Sequence, residues 1–359
     1  MMDSFHCSKP SNLPAPTRAA TGGIIWSALV LLAAFCLTPS SAKAQPFLLP
    51  TANHALFEKG GEERFLAPTP GKPWTSGGFG CVRTEGRQMH EGLDILTRQH
   101  DKRGEPTDPV LASASGTVAY LNPRGALSNY GKYIVLRHDI EGLEVYTLYA
   151  HLSEIRSSLK VGASVTAGEV IAVMGRTTNT RSGIGKDRAH VHFEVNLFMN
   201  DRFANWYKEN RPGERNDHGI WNGQNLVGLD PRRLLIEQRA QGAAFSLRRF
   251  LQSETELCRV LVRGTRFPWL RRYAALLAAN PKLGNQPVAG YEVVLDYNGL
   301  PFQLIPRPAA DFSGVSKYKL LSVNTAEEAR NHCRHLVMQH SGSWLLSTHG
   351  QAWLDLLTY

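Results

Sequence analysis

The sequence predicts a mainly β protein: an antiparallel, sandwich-like β domain over residues 74–237, followed by a small α+β domain over 263–359. Three observations lead there. From Trp74 to Leu235 short apolar runs alternate with glycine-bearing turns, and no helical period is sustained. Beyond residue 236 the pattern changes to a helical stripe, a hairpin signal and a capped helix. A chain of 359 residues also suits two domains better than one.

Taken in order, the chain opens with Lys9 and Arg18 ahead of the apolar run "IIWSALVLLAAFCL". That run is shorter than the ~20 residues a stable membrane anchor needs. "TPSSAKAQ" follows, with the small-x-small form of a processing site at Ala42-Lys43-Ala44. Residues 1–44 therefore read as a signal peptide, and the mature chain is expected outside the cytoplasm, in the periplasm, the cell envelope or the medium. Phe35 is too large to precede a lipidated Cys36. Residues 45–73, rich in proline and without a period, read as a linker or wrapping arm.

Strand-like runs follow: "PVLASASGTVAYL", "KYIVLRHD", "LEVYTLYAHL", "SVTAGEVIAVMG" and "HVHFEVNLF". Turn signals separate them at Pro123-Arg124-Gly125, Asp139 to Gly142 and Ala167-Gly168. Residues 200–225 read as a polar insertion before "LDPRRLL", and 238–262 as a linker. In the last domain "FPWLRRYAALLAA" predicts a helix over 267–279, with Leu270, Tyr273, Ala274 and Leu277 on one stripe. Asn298-Gly299 predicts a hairpin, and "YKLLSVN" a strand. Thr325 and Glu328 form a capping box for a helix that carries Cys333, Leu336, Val337 and His340 on one side.

Hydrophobic residues at 42% and charged residues at 20% fit an ordinary soluble globular protein, and the net charge of +9 favours an anionic partner. No Lys/Arg block or arginine–aromatic ladder points to nucleic acid. Of the five cysteines, Cys7 and Cys36 leave with the signal peptide. Cys81, Cys258 and Cys333 allow one disulfide, with Cys258–Cys333 the preferred pair, or three buried thiols. With no CxxC they make no zinc ribbon.

The chemistry gathers around histidines. In "RAHVHFEVN" His190 and His192 share one strand face, ~6.6 Å apart, with Val191, Phe193 and Val195 on the other. "MHEGLDIL" holds His90 and Asp94, ~13 Å apart on a straight strand but able to meet if Gly92 bends the chain. "YTLYAHLSEI" adds His151 near a strand end. Together these supply a two-histidine, one-carboxylate set with two imidazoles to spare, the make-up of a catalytic zinc site with an open position. A serine elbow (GxSxG) and the HExxH signature are both missing. His332, His335 and His340 beside Cys333 read as a mixed buried and solvated helix rather than a second metal site.

In this order and spacing, His90-x-x-x-Asp94, "YAH" at His151 and His190-Val191-His192 resemble the zinc peptidases of the lysostaphin type, the LytM-domain endopeptidases. "GGFGCVR", "PVLASASGTV", "GKYIVLRHD" and "VGASVTAGEVIAVMG" support the resemblance, which covers residues 74–237. It implies a LytM peptidase fold there and one Zn²⁺ held by His90, Asp94 and His192. It also implies that His151 and His190 are the catalytic histidines; His151 is assigned the base role and His190 the orienting one. The loop from Thr177 to Arg188 is longer and more charged than the family's, and 201–224 is an insertion.

The implied activity is hydrolysis of peptide bonds in peptidoglycan stem peptides or cross-bridges. The alternative is a non-catalytic relative that activates or scaffolds other wall hydrolases. Peptidoglycan is the expected partner, with other envelope proteins docking through the C-terminal domain. Neither nucleic acid nor a stable membrane anchor is expected.

Overall fold

The structure is a computed structural model that describes residues 46–359. The signal peptide expected over 1–44 lies outside the described residues. Among the described residues the strands form antiparallel sheets throughout, and the fold is mainly β. The largest sheet runs β12 (Leu226–Leu229), β11 (His190–Phe198), β7 (Leu143–Leu152), β6 (Lys132–Ile140), β5 (Gly116–Asn122) and β9 (Ser164–Val165), with β3 (Leu93–Leu96) also paired to β11. A small sheet of β4 (Pro109–Leu111), β10 (Val170–Val173) and β8 (Glu154–Ile155) packs near it, and β1 (Gly80–Arg83) pairs with β2 (Gln88–His90) as a ribbon.

Alternation along β11 follows the sequence. Val191, Phe193, Val195 and Leu197 enter the main apolar core, as period-2 patterning requires. The opposite face is buried as well, so every residue of the strand is buried. Part of the polar-looking insertion covers it. Its helix α2 (Phe203–Asn210) joins the main core through Phe203, Trp206 and Tyr207. Its loop lays Trp221 against Tyr146 and Phe198 at ring distances of 5.5 and 5.4 Å. The arm is integral too: Phe47, Leu56, Phe65 and Leu66 are core residues. Phe47 exchanges two hydrogen bonds with the Gln238 amide.

The second half builds a sheet in the order β15 (Pro301–Pro308), β14 (Val288–Leu295), β13 (Cys258–Arg263), β16 (Tyr318–Val323) and a hairpin of β17 (Val337–His340) and β18 (Ser343–Leu346). β14 and β15 turn through Asn298-Gly299, where Gly299 takes φ +86°, the conformation an Asn-Gly turn supplies. Residues 238–262 are more than a linker. They hold the end of α3 (Pro231–Gln241), α4 (Leu247–Gln252) and most of β13, an inner strand of the second sheet. One apolar core runs from Phe47 to Leu357 through both halves, and the described residues fall in one compact unit.

Two expected helices are shorter than their patterns. The first stops at α5 (Pro268–Arg272). There Tyr273 leaves helical geometry and its hydroxyl accepts from Phe198 N–H and donates to the Glu144 carbonyl. The second is α6 (Thr325–Arg330), capped by Asn324, whose side chain accepts from Glu327 N–H. The capping pair is Asn324 with Glu327, one residue earlier than expected. Cys333, Leu336, Val337 and His340 therefore lie on a loop and on β17.

The disulfide is also different. Cys81 is bonded to Cys333, and Cys258 is a free, buried thiol. Cys258 lies on β13 between β14 and β16 with its side chain in the core. Cys81 on β1 comes within 5.5 Å of Cys333 between Cα atoms, within bonding range. The bond spans the two halves, a pairing that sequence proximity could not suggest.

Candidate metal centre

The first donor pair depends on a bend. β2 ends at His90 and β3 begins at Leu93, so the straight-strand separation never applies. Gly92 lets the bent segment lie against β11: a Cβ there would sit 2.3 Å from the Phe193 carbonyl oxygen, closer than atoms approach. His90 Nε2 thereby reaches 3.1 Å from Asp94 Oδ1. The third donor arrives by register. Asp94 on β3 lies directly across from His192 on β11, where paired side chains meet. His192 Nδ1 lies 2.9 Å from Asp94 Oδ1 and 3.1 Å from His90 Nε2.

His151 and His190 join from the same face. Their rings lie 4.9 Å apart in an edge-to-face pair, and the His151 ring is 6.0 Å from that of His192. His190 Nε2 is 3.5 Å from Asp94 Oδ1. His151 owes its place to a β-bulge: the register of β6 against β7 shifts between Lys132 and Ile134, and His151 adopts φ +62°. A bulge re-aims one side chain. A non-glycine residue held at positive φ costs of order 1–3 kcal/mol, a strain that functional sites retain.

Each imidazole has its outer nitrogen turned to an oxygen. His90 Nδ1 faces Gly78 O at 2.6 Å, His151 Nδ1 faces Thr177 O at 3.0 Å, and His190 Nδ1 faces Arg188 O at 2.6 Å. His192 Nε2 faces Glu194 Oε1 at 2.8 Å. A carbonyl or carboxylate oxygen only accepts, so each outer nitrogen carries the proton; His192, flanked by Asp94 and Glu194, carries one on Nδ1 as well, which a metal ion would displace. This is how an outer shell prepares metal ligands. Glu194 is itself held by Tyr130 Oη at 2.7 Å and by Asn196 Nδ2 at 2.8 Å.

Burial would raise the Asp94 carboxyl, but His190, His90 and His192 outweigh it and hold the pKa well below the usual range. Burial lowers His151 to about 3, helped by the neighbouring His190 and His192 rings, and it lowers His190 as well. Both are neutral at pH 7. Burial opposes charge on His192, yet Asp94 and Glu194 overcome it and push this imidazole up to about 10. Arg83 adds a donor at the edge: its guanidinium donates to Asp94 Oδ2 and lies 3.1 Å from His90 Nε2.

Among the described residues, His90, Asp94 and His192 form the one group able to hold a metal ion, with all three donor atoms within 4.8 Å of one another. A metal ion that took the place of the proton between His192 and Asp94 would meet all three donors at once. Two imidazoles and a carboxylate are a zinc donor set. The cluster opens onto a groove of about 1180 Å³ that His90, His151, His190 and His192 line together with Arg83 and Arg188. All five residues expected from the sequence come together. Arg83, Tyr130, Glu194 and the carbonyls of Gly78 and Thr177 were not singled out. Glu194 had a signal, two positions beyond His192 on the same strand face, whereas the carbonyls had none.

Residues 88–205 match the model of peptidase family M23. Among solved structures, a zinc-containing peptidase from Vibrio cholerae is 28% identical over 30% of this chain and 26% of its own, with a TM-score of 0.22. This chain thus spans about a quarter of that protein. The catalytic domain of the antimicrobial peptidase lysostaphin from Staphylococcus simulans is 25% identical over 36% of this chain and 74% of its own, with a TM-score of 0.23. CbpA from L. salivarius REN is 22% identical, covering 50% and 88%, with a TM-score of 0.28. No curated protein matches the chain.

Proposed function

We propose that this protein is an exported, zinc-dependent endopeptidase that hydrolyses peptide bonds in peptidoglycan stem peptides or cross-bridges. The observation that carries the reading is the convergence of His90 Nε2, Asp94 Oδ1 and His192 Nδ1 at 2.9–3.1 Å beside two further neutral imidazoles. The match of residues 88–205 to peptidase family M23 gives it a reaction class. The Cys81–Cys333 disulfide supports residence in an oxidising compartment, and the net charge of +9 suits an anionic wall polymer.

His90, Asp94 and His192 would hold the ion. When bound, zinc supplies Lewis acidity toward a peptide carbonyl and toward water. The chain supplies the rest. His151 keeps Nδ1–H on the Thr177 carbonyl, so its free Nε2 accepts a proton from attacking water and returns it to the leaving amine. His190, oriented by the Arg188 carbonyl, presents a second nitrogen to the reacting carbonyl. Glu194 fixes the His192 ring through Nε2. The buried faces around β11 limit water access, which strengthens every polar contact within.

The test is digestion of purified peptidoglycan by the full processed chain, zinc-loaded or chelator-treated, with fragments identified by mass spectrometry. New amino termini that appear only with zinc are expected. A zinc-loaded chain that releases none would leave the non-catalytic scaffold reading in its place.

A further inference from the structure

We propose that Arg188 is a specificity residue: its guanidinium binds a substrate carboxylate beside the bond that is cut, so the preferred peptide is one with free carboxylates. The inference rests on the peptidase reading above and names the substrate class of that same groove.

Arg188 stands two positions before His190, at the end of the charged loop from Thr177. It is half-buried and lines the groove next to the histidines. Its Nε donates to the Pro68 carbonyl, which anchors the planar fork. Among the described residues no carboxylate lies within ion-pairing distance of its terminal nitrogens. The other charged groove residues differ. Arg83 is bound to Asp94, Lys72 lies 3.6 Å from Glu85, and Glu91 lies 3.4 Å from Arg334. Asp187 is exposed and makes no ion pair with its neighbour.

A half-desolvated guanidinium with no carboxylate in direct contact is costly to keep: burial lowers its pKa, and the charges of Asp94 and Asp187 only partly oppose that. Such a fork recognises a carboxylate through two parallel hydrogen bonds. A glycine-only peptide has no side-chain carboxylate to offer it. Stem peptides do, and amidation removes the charge without changing the shape.

The experiment uses the zinc-loaded full chain and two probes: a synthetic cross-linked stem peptide with free carboxylates, and the same peptide with those carboxylates amidated. The acid form is expected to be favoured in kcat/KM by about 10- to 100-fold, the worth of a charge-assisted hydrogen bond. Arg188→Gln should bring the ratio close to one, and Arg188→Lys should keep part of it. Zinc content and melting temperature of each variant report on folding. Equal cleavage of both probes by the wild type overturns the proposal. So does an Arg188→Gln loss that is the same on both, since the guanidinium would then serve the reaction or the fold. Calorimetric binding of each probe to the metal-stripped chain separates the two readings. If neither peptide is cut but the acid form alone binds, and binds through Arg188, the subsite stands without the hydrolase. Equal binding removes it.

Discussion

In the seven-stranded sheet, β11 spends one face on His190, His192, Glu194 and Asn196. In the four-stranded sheet the comparable polar cluster is Glu292 on β14 between Arg259 and Arg307. Both clusters are buried or half-buried polar groups on an inner strand, and they finish differently. Glu292 Oε1 takes a hydrogen bond from Arg259 at 2.7 Å and its other oxygen takes one from Arg307. Those partners overcome burial and keep its pKa below the usual carboxylate value. The cluster is closed: each charge ends on its opposite. Around His192 the outer nitrogens are satisfied by separate oxygens, and the inner ones crowd with Asp94 onto a single point. A polar cluster whose charges pair off side by side supports the fold, whereas one whose donors converge on one point is prepared for a ligand.

The sharpest way to break this contrast is His192→Ala. It should abolish zinc retention, read by metal analysis, and reduce hydrolysis by more than the ~10²–10⁴-fold ascribed to a single general base. Glu292→Gln, the matched change in the closed cluster, should leave zinc content and activity in place and lower stability by about 1–3 kcal/mol, read by urea unfolding. If Glu292→Gln removed the metal, the contrast would fail.

His151→Ala comes next. It removes an imidazole that touches no proposed donor directly, so zinc should stay bound while kcat falls by about 10²–10⁴-fold. Single-turnover kinetics with parallel metal analysis check it. Loss of zinc together with activity would move His151 into the ligand set.

The two halves can also be separated. Replacing both Cys81 and Cys333 by serine should cost about 2–5 kcal/mol, measured against the oxidised wild type. A smaller loss would mean that the shared core alone holds the halves together. The Cys258 thiol, which burial pushes up to about 12, should resist alkylation in the folded protein.

The smallest effect concerns Glu254, which lies where the halves meet, 2.8 Å from Arg233. Burial raises its pKa to about 7 despite that arginine, with Asp230 adding to the rise. Its folded pKa is thus above its unfolded value near 4.5. The stabilisation this brings is complete below pH 4.5 and is lost as pH rises through about 7. Glu254→Gln should therefore match the wild type at pH 4 and exceed it at pH 8 by about 1–3 kcal/mol, in thermal melts across that range.

Much of the site was legible because strands report themselves through alternation. His190 and His192 on one face and Val191, Phe193 and Val195 on the other needed only a period of two. The meeting of His90 with Asp94 needed the bent segment at Gly92 to lie against β11, which its residue type allows. His151 was found by its place near a strand end; the bulge that aims it has no glycine to announce it. The second half was less legible. Its helical stripes were real but were overruled by tertiary anchors, the Tyr273 hydroxyl in one case and Cys333 in the other. The insertion at 200–225 looked like solvent-facing loop because its few aromatics are diluted among polar residues. Once folded, Trp221 covers part of the second face of β11, while Phe203, Trp206 and Tyr207 join the main core.

The cross-link between Cys81 and Cys333 has a sequence separation of 252, and every donor and both added histidines fall inside the ring it closes. A protease that nicks an exposed loop such as 180–187 opens this ring without releasing a fragment. Dissociation then requires a second event, either another cut or reduction of the sulfur bridge. The molecule is thereby built to decay with two-hit kinetics, so that one nick leaves the fragments tethered.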